Sequence, residues 1–418
     1  MTEDSASPIA ARLNALLPPG RFSRLGVAVS GGGDSVALMR LLAAHHAAGG
    51  PEPLVVSLDH GLRPEAADEV AAVARSAAAL GLSHTALVWG GWDGCGNLMA
   101  GARRARYRLI ADWARGQGLP AVALGHTADD QAETFFMRLA RGAGLDGLSG
   151  MAEERRAEGM LWLRPLLGTT RAELRDYLRA AGADWVDDPT NEDTAYARVR
   201  ARASLAALAP LGISASGVAE VTAHLREVRE VLDTATHAAA EALVRDDSGD
   251  LVIERAGLAA LPAELRRRLL AQALRWIASA EHAPRGPALA AFAETALKGD
   301  APATLHGCFA LPEGKDLRIC REAAACAGAV PLGELWDGRW RVVGPSVPGA
   351  EVRVLGDKGL QQCPDWRASG RPRAALAADP ALWRGGELLA APLAGMGNGW
   401  RAEAERDRAD FLVSLFVH

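Results

Sequence analysis

Between residues 25 and 190 the chain repeats one unit: a short apolar run, a turn, then a stretch with apolar residues at helical spacing. Leu25 to Val29, Leu54 to Leu58, Ala86 to Trp89 and Ala121 to Leu124 read as strands; 35 to 46, 64 to 80, 99 to 116, 129 to 140 and 171 to 181 read as helices. Strands separated by helix-length crossovers pair in parallel, and parallel sheets are covered on both faces. The rhythm therefore predicts an α/β domain on a parallel sheet. Ligands of such sheets bind beyond the carboxyl ends of the strands, so the segments that follow each apolar run are where chemistry should be sought.

The first of these is VAVSGGGDSVALMRLL, Val27 to Leu42. Glycines between a strand and a helix let backbone N–H groups approach a phosphate, and the helix N-terminus adds the positive end of its dipole. Ser30, Gly31, Gly32, Gly33, Asp34 and Ser35 are accordingly read as a pyrophosphate cradle. A carboxylate repels phosphate unless a cation lies between them, so Asp34 is assigned to Mg²⁺. The competing reading is a glycine-rich turn in which Asp34 or Ser35 simply caps the helix. No lysine precedes Lys298, which excludes a Walker lysine or a kinase-type strand lysine from this region.

At 418 residues the chain exceeds one typical domain, and 49% hydrophobic residues is enough for real cores. From about 215 the texture becomes alanine- and arginine-rich and helical to about 298. Short strand-like pieces such as Leu317 to Cys320 and Arg339 to Val343 follow among Gly and Pro. Soft boundaries near 212 and 325 divide the chain into 1–212, a mainly helical 213–325 and a small 326–418, with the tail after 343 the least readable. The five cysteines, Cys95, Cys308, Cys320, Cys326 and Cys363, form no C-x-x-C pair, which speaks for reduced thiols and against a zinc ribbon. The N-terminal stretch has no signal-peptide pattern and no apolar run approaches the roughly 18 residues of a membrane span, so a cytoplasmic protein is expected. A net charge of −5 carries no general nucleic-acid signature.

Four further segments narrow the reading: LDHGLRPEA (Leu58 to Ala66), ARRARYRLI (Ala102 to Ile110), GHTADDQAETFFMRLARGAGLDGLSGM (Gly125 to Met151) and RPLLGTTRAELRDYLRAAGADWVDDPTN (Arg164 to Asn191). With SGGGDS, in this order, they resemble the tRNA(Ile)-lysidine synthase family of the PP-loop ATP pyrophosphatase superfamily, over roughly residues 22 to 205. The resemblance implies a Rossmann-like PP-loop domain followed by a mainly helical domain and a small α+β C-terminal domain. It also implies a reaction. ATP adenylates the wobble cytidine of a CAU-anticodon isoleucine tRNA, and free L-lysine then displaces AMP at C2 to form lysidine, which changes decoding and charging from Met to Ile. ATP and Mg²⁺ are the implied cofactors; tRNA and free lysine are the partners, and a homodimer is one expectation for an oligomeric state left open.

The residues fit that chemistry. An adenylation needs a positioned nucleotide and a neutralised leaving group, not a side-chain nucleophile. Asp130 and Glu133 lie three apart on one helix face, and two carboxylates suit a substrate amine whose pKa near 10.4 keeps it charged until a proton is removed. They are read as the lysine site, against the alternative of an acidic first turn that complements the helix dipole. Arg103, Arg106 and Tyr107 match the family pattern A-R-x-x-R-Y; Arg103 is read as the reactive-site contact, and Arg106 as either a tRNA contact or structural. His60 and His126 are nucleotide-pocket candidates, with simple loop roles as the alternative. Arg198, Arg200 and Arg202 stand where the family carries tRNA-contacting arginines, although Val199 replaces a frequent asparagine. GTTRAEL, with Thr169 or Thr170 before Glu173, reads as an architectural capping signal. LHGCFALPEGKDLRICRE and WDGRWRV look like fragments of the family's appended tRNA-recognition domains. The alternatives are a PP-loop tRNA thiolation enzyme, which often needs paired cysteines, and a non-enzymatic tRNA-binding relative.

Overall fold

The computed structural model describes residues 8–61, 66–91, 98–186, 197–298 and 301–416; Cys95, the start of the expected 64-to-80 helix and DDPTN at 187–191 lie outside them. The chain forms two compact units that divide between Arg229 and Glu230.

The first unit is built on a six-stranded sheet of β1 (Arg24–Ala28), β2 (Glu52–Asp59), β3 (His84–Val88), β4 (Ala121–Leu124), β5 (Glu154–Ala157) and β6 (Met160–Leu163), in the order β3-β2-β1-β4-β6-β5. Neighbours are parallel except β5, which runs antiparallel to β6. Helices α1 (Pro8–Leu16), α2 (Gly33–Ala47), α3 (Ala66–Ala79), α4 (Leu98–Gly116), α5 (Ala128–Leu139), α6 (Leu145–Leu148), α7 (Arg171–Ala180), α8 (Ala197–Leu208) and α9 (Ala215–Leu243) complete the element order. The period-two alternation of the strands sorts the core. Ala121 and Ala123 face α1, α2 and α7, whereas Val122 and Leu124 face α4. Strand order reverses between β1 and β4, so a crevice opens at their carboxyl ends, with SGGGDS after β1 and GHTADD after β4 on its two sides.

Every strand and helix expected between residues 25 and 181 is present within a few residues of its predicted bounds. Three features were not anticipated in residues 8–181: α1, the short α6, and the β5–β6 hairpin, whose two-residue turn places Glu158 and Gly159 at φ of 54° and 68°. Such turns usually announce themselves as Asn-Gly or Asp-Gly, and Glu-Gly does not.

The second unit departs further from its expectation. Within the stretch whose patterns read as helical, β7 (Val244–Asp247) and β8 (Asp250–Glu254) form a hairpin around Ser248 and Gly249, both at positive φ. Helices α10 (Arg255–Ala260), α11 (Ala263–Ile277) and α12 (Gly286–Lys298) precede β9 (Ala303–Leu305), β10 (Cys308–Glu313) and β11 (Asp316–Arg321), giving a sheet β7-β8-β11-β10-β9. The tail after 343 is ordered. β12 (Val330–Pro331), β13 (Trp340–Val343), β14 (Ala350–Val354), β15 (Pro380–Arg384), β16 (Glu387–Ala390) and β17 (Arg401–Ala404) form a four-stranded sheet β12-β14-β15-β16 and a β13–β17 pair. Buried Arg318 and Arg371 share Asp250, at 2.9 and 2.7 Å, and Arg371 also holds Asp379. Among the described residues no single helix is long and apolar enough to cross a membrane.

One glycine fixes how close the two sides of the crevice come. A Cβ at Gly125 would lie 3.0 Å from both Asp34 O and Ser35 Cα, which are backbone atoms of the glycine loop's helix. Gly125→Ala should therefore destabilise the first unit by about 1–3 kcal/mol through overpacking. A lower urea midpoint at unchanged m-value is the expected readout, and an unchanged midpoint would contradict this packing.

Candidate active site

The glycine loop is shaped by its two serines. Ser30 N donates to Ser35 Oγ at 3.2 Å, and Ser35 Oγ donates to Gly32 O at 2.8 Å, so Ser35 closes the loop upon itself. Gly31 adopts φ +89°, which a side chain would strain, and its carbonyl accepts from Val186 N at 3.0 Å. Trp185 lies over Gly33, where a Cβ would come within 3.3 Å of the indole. Gly32 caps α2 without any side-chain hydrogen bond, and α2 is 15 residues long. Its first-turn N–H groups thus present the donor array and dipole end that bind anions. Phosphate cradling is what this geometry offers.

Across the crevice, Thr127 and Asp130 form a capping box at the start of α5: Asp130 Oδ2 accepts from Thr127 N at 2.8 Å, and Asp130 N donates to Thr127 Oγ1 at 3.3 Å. A second capping box, Thr170 with Glu173, starts α7 and identifies Thr170 as the capping residue. The two helix starts are tied together, because Ala128 N donates to Thr169 O and Arg171 N donates to Asp129 Oδ2 at 2.8 Å. Arg171 is thereby fixed at the first position of α7, and its guanidinium reaches three carboxylates. Nη2 donates to Asp130 Oδ1 at 2.7 Å, Nη1 to Glu133 Oε1 at 2.7 Å and Nε to Asp34 Oδ2 at 3.1 Å.

The acidic residues singled out from the sequence are therefore brought together, around a cation that sequence reasoning missed. Arg171 appears in GTTRAEL, where the capping pattern accounts for its neighbours and nothing marks the arginine itself. Arg202, from α8, also donates to Glu133 Oε1, from Nη2 at 3.0 Å and Nε at 3.1 Å. Glu133 is 2% exposed, and its Oε2 meets no hydrogen-bond partner among the described residues. Burial pushes the Asp34 carboxyl above its ordinary range against the pull of Arg171. At Asp130 burial works in the same direction, but Arg171 and the Thr127 backbone N–H outweigh it and hold the carboxyl below the ordinary range.

The remaining candidates are arranged around this centre. His60 follows β2 and sits edge-on to Trp89, ring centroids 6.3 Å apart. His126 follows β4; its Nδ1 is buried without a partner among the described residues, and burial pushes the imidazole down to about 3. Arg103 is exposed on α4, its guanidinium 5.2 Å from the Tyr107 ring. Arg106 is packed over the same ring at 5.7 Å and partly buried, which favours the structural side of its two readings. Arg198 and Arg200 are exposed on α8, while Arg202 is turned inward onto Glu133.

Residues 5–209 match the PP-loop domain family. The chain is similar to the tRNA(Ile)-lysidine synthase of Ruegeria pomeroyi, 53% identical over 94% of each chain. It is also similar to the enzymes of that name from Bradyrhizobium diazoefficiens, 42% identical over 75% of this chain and 88% of the relative, and from Methylobacterium nodulans, 42% identical over 63% and 78%.

The His126 environment carries a pH signature. In the unfolded chain the imidazole takes up its proton near pH 6.5, but in the folded chain only near 3. Between these values the unfolded form binds the extra proton, so stability falls as the pH is lowered, by up to about 1.4 kcal/mol per pH unit. His126→Gln should flatten the decline of the urea midpoint between pH 6.5 and 4; a slope identical to that of the unsubstituted protein would contradict a buried neutral imidazole.

Proposed function

The chain belongs to the tRNA(Ile)-lysidine synthase family, and from that membership we propose the following roles for its residues. The enzyme is a ligase that joins L-lysine to C2 of the wobble cytidine in the CAU anticodon of tRNA(Ile), at the expense of ATP. The cytosine O2 attacks the α-phosphorus and pyrophosphate leaves; the lysine side-chain amine then attacks C2, loses a proton and expels AMP. A thiolation enzyme or a non-enzymatic tRNA-binding relative is not favoured.

Gly31, Gly32 and Gly33, with the uncapped start of α2, hold the pyrophosphate moiety, and Ser30 and Ser35 keep that loop in shape. His60 and His126 line the nucleotide side, and His126, kept neutral, acts there as a hydrogen-bonding group and not as a charge. Among the described residues no cluster of three or more His, Cys, Asp or Glu side chains forms an all-protein metal site. Mg²⁺ bound with phosphates needs only one or two carboxylates, and Asp34, in the first turn of α2, supplies one. Bound there, the ion would neutralise charge developing on the departing pyrophosphate.

The observation that carries the amine assignment is the convergence of Asp130 and Glu133 on one cationic group, at 2.7 Å each. Two carboxylates at that spacing bind an ammonium through charge-assisted hydrogen bonds. Asp130, held ionised by its surroundings, supplies charge; Glu133, whose Oε2 lacks a partner among the described residues, accepts the proton that the amine must lose. Exposed Arg103, Arg198 and Arg200 meet the tRNA backbone near the anticodon, while Arg106 supports the α4 surface and Arg202 orients Glu133. Residues 213–418 read the tRNA away from the anticodon, since tRNAs that share CAU can be told apart only by features elsewhere.

Labelled L-lysine incubated with the protein, ATP, Mg²⁺ and a CAU-anticodon isoleucine transcript should enter acid-insoluble RNA with stoichiometric AMP and pyrophosphate. Conversion of ATP to ADP and phosphate without labelling would overturn the reading. Under the same conditions at saturating ATP, Asp130→Asn should raise the lysine KM about 10- to 150-fold, the value of roughly 1.5–3 kcal/mol for a charge-assisted hydrogen bond, without weakening ATP binding. Equal losses for both substrates would remove Asp130 from the amine site.

A further inference from the structure

The carboxylates assigned to the substrate amine are already engaged by a cation of the chain's own. Of the four carboxylate oxygens on Asp130 and Glu133, Arg171 takes Asp130 Oδ1 and Glu133 Oε1, and the capping box takes Asp130 Oδ2. Glu133 Oε2 is the remaining acceptor without a partner among the described residues. A lysine ammonium has three donors to satisfy and cannot do so from one oxygen. A second cation beside Arg171 and Arg202 would also be repelled. Guanidinium and substrate ammonium therefore compete for Asp130.

The position of Arg171 indicates where it goes instead. Its backbone is held by the α7 capping box and by Asp129, so the side chain alone needs to turn. Its Nε already touches Asp34, in the first turn of α2 beside the glycine loop. A planar guanidinium fork suits phosphate at least as well as carboxylate. We propose that Arg171 is an internal stand-in for the substrate ammonium, which nucleotide phosphates draw away so that ATP binding opens the lysine subsite. This rests on the assignment of Asp130 and Glu133 to the lysine amine.

The consequence is a coupling between the two substrates. In the free enzyme the lysine-competent state is a minor one, and apparent affinity is reduced by that fraction. Nucleotide raises it, and by reciprocity lysine tightens nucleotide. Arg171 acts here as a positioning and ordering residue.

Equilibrium dialysis of labelled L-lysine against the full chain, with and without a non-hydrolysable ATP analogue and Mg²⁺, tests this. The unsubstituted protein should bind lysine weakly alone and about 10-fold or more tightly with the analogue, within the usual range of coupling energies. Arg171→Gln should bind lysine about 10-fold more tightly than the unsubstituted protein without nucleotide and gain little from the analogue. Arg171→Lys, whose single ammonium cannot span three carboxylates, should lie between them and decides the matter if the glutamine variant does not fold. Either variant binding lysine no more tightly than the unsubstituted protein without nucleotide would overturn the proposal. If the unsubstituted protein binds lysine but the variants retain the full nucleotide effect, this proposal alone falls. If it binds no lysine even with the analogue, the amine assignment falls and the proposal with it.

Discussion

Three carboxylates, from Asp34, Asp130 and Glu133, share one guanidinium, with contacts between 2.7 and 3.1 Å. Like charges packed this closely and partly withdrawn from water repel strongly unless a cation lies among them. The first unit thus contains an acidic cluster that a positive charge stabilises. Arg171 supplies that charge, helped at Glu133 by Arg202. On the proposed function, a substrate ammonium would take over that role at Asp130 and Glu133.

The sheet makes this concentration of charge possible. Reversal of strand order between β1 and β4 opens a crevice into which α2 and α5 both point their N-termini, and Gly125 lets the two walls approach to backbone contact. The start of α7 joins them through Asp129 and Thr169. Positive dipole ends stabilise Asp34, Asp130 and the phosphates of a nucleotide alike. One piece of helix geometry therefore serves the anion cradle, the acid pair and the cation between them.

How much of this was readable in advance depended on whether the information was local. The βα rhythm up to residue 181 is periodic within each element, and those elements are where the pattern placed them. SGGGDS and DDQAET are contiguous, so the glycine loop and the acid pair were visible as motifs. Arg171 was not, because its significance lies in contacts with residues 137, 41 and 38 positions away, and no local pattern reports them. Trp185 over Gly33 escaped for the same reason. The β7–β8 hairpin was hidden by an alanine-rich setting on both sides, although Asp-Ser-Gly at 247–249 is a turn signal that a shorter window would have weighed more heavily. The tail after 343 holds short strands paired across long separations, such as β14 with β15, for which sequence periodicity offers little.

As proposed, Asp130 and Glu133 form a single cation site that Arg171 fills until lysine arrives. A crystal structure of the protein with L-lysine, Mg²⁺ and a non-hydrolysable ATP analogue tests it most directly. The lysine side-chain nitrogen is expected within hydrogen-bond distance of both carboxylates, with the Arg171 guanidinium turned onto the phosphates. Lysine bound elsewhere, with Arg171 still holding all three carboxylates, would contradict it.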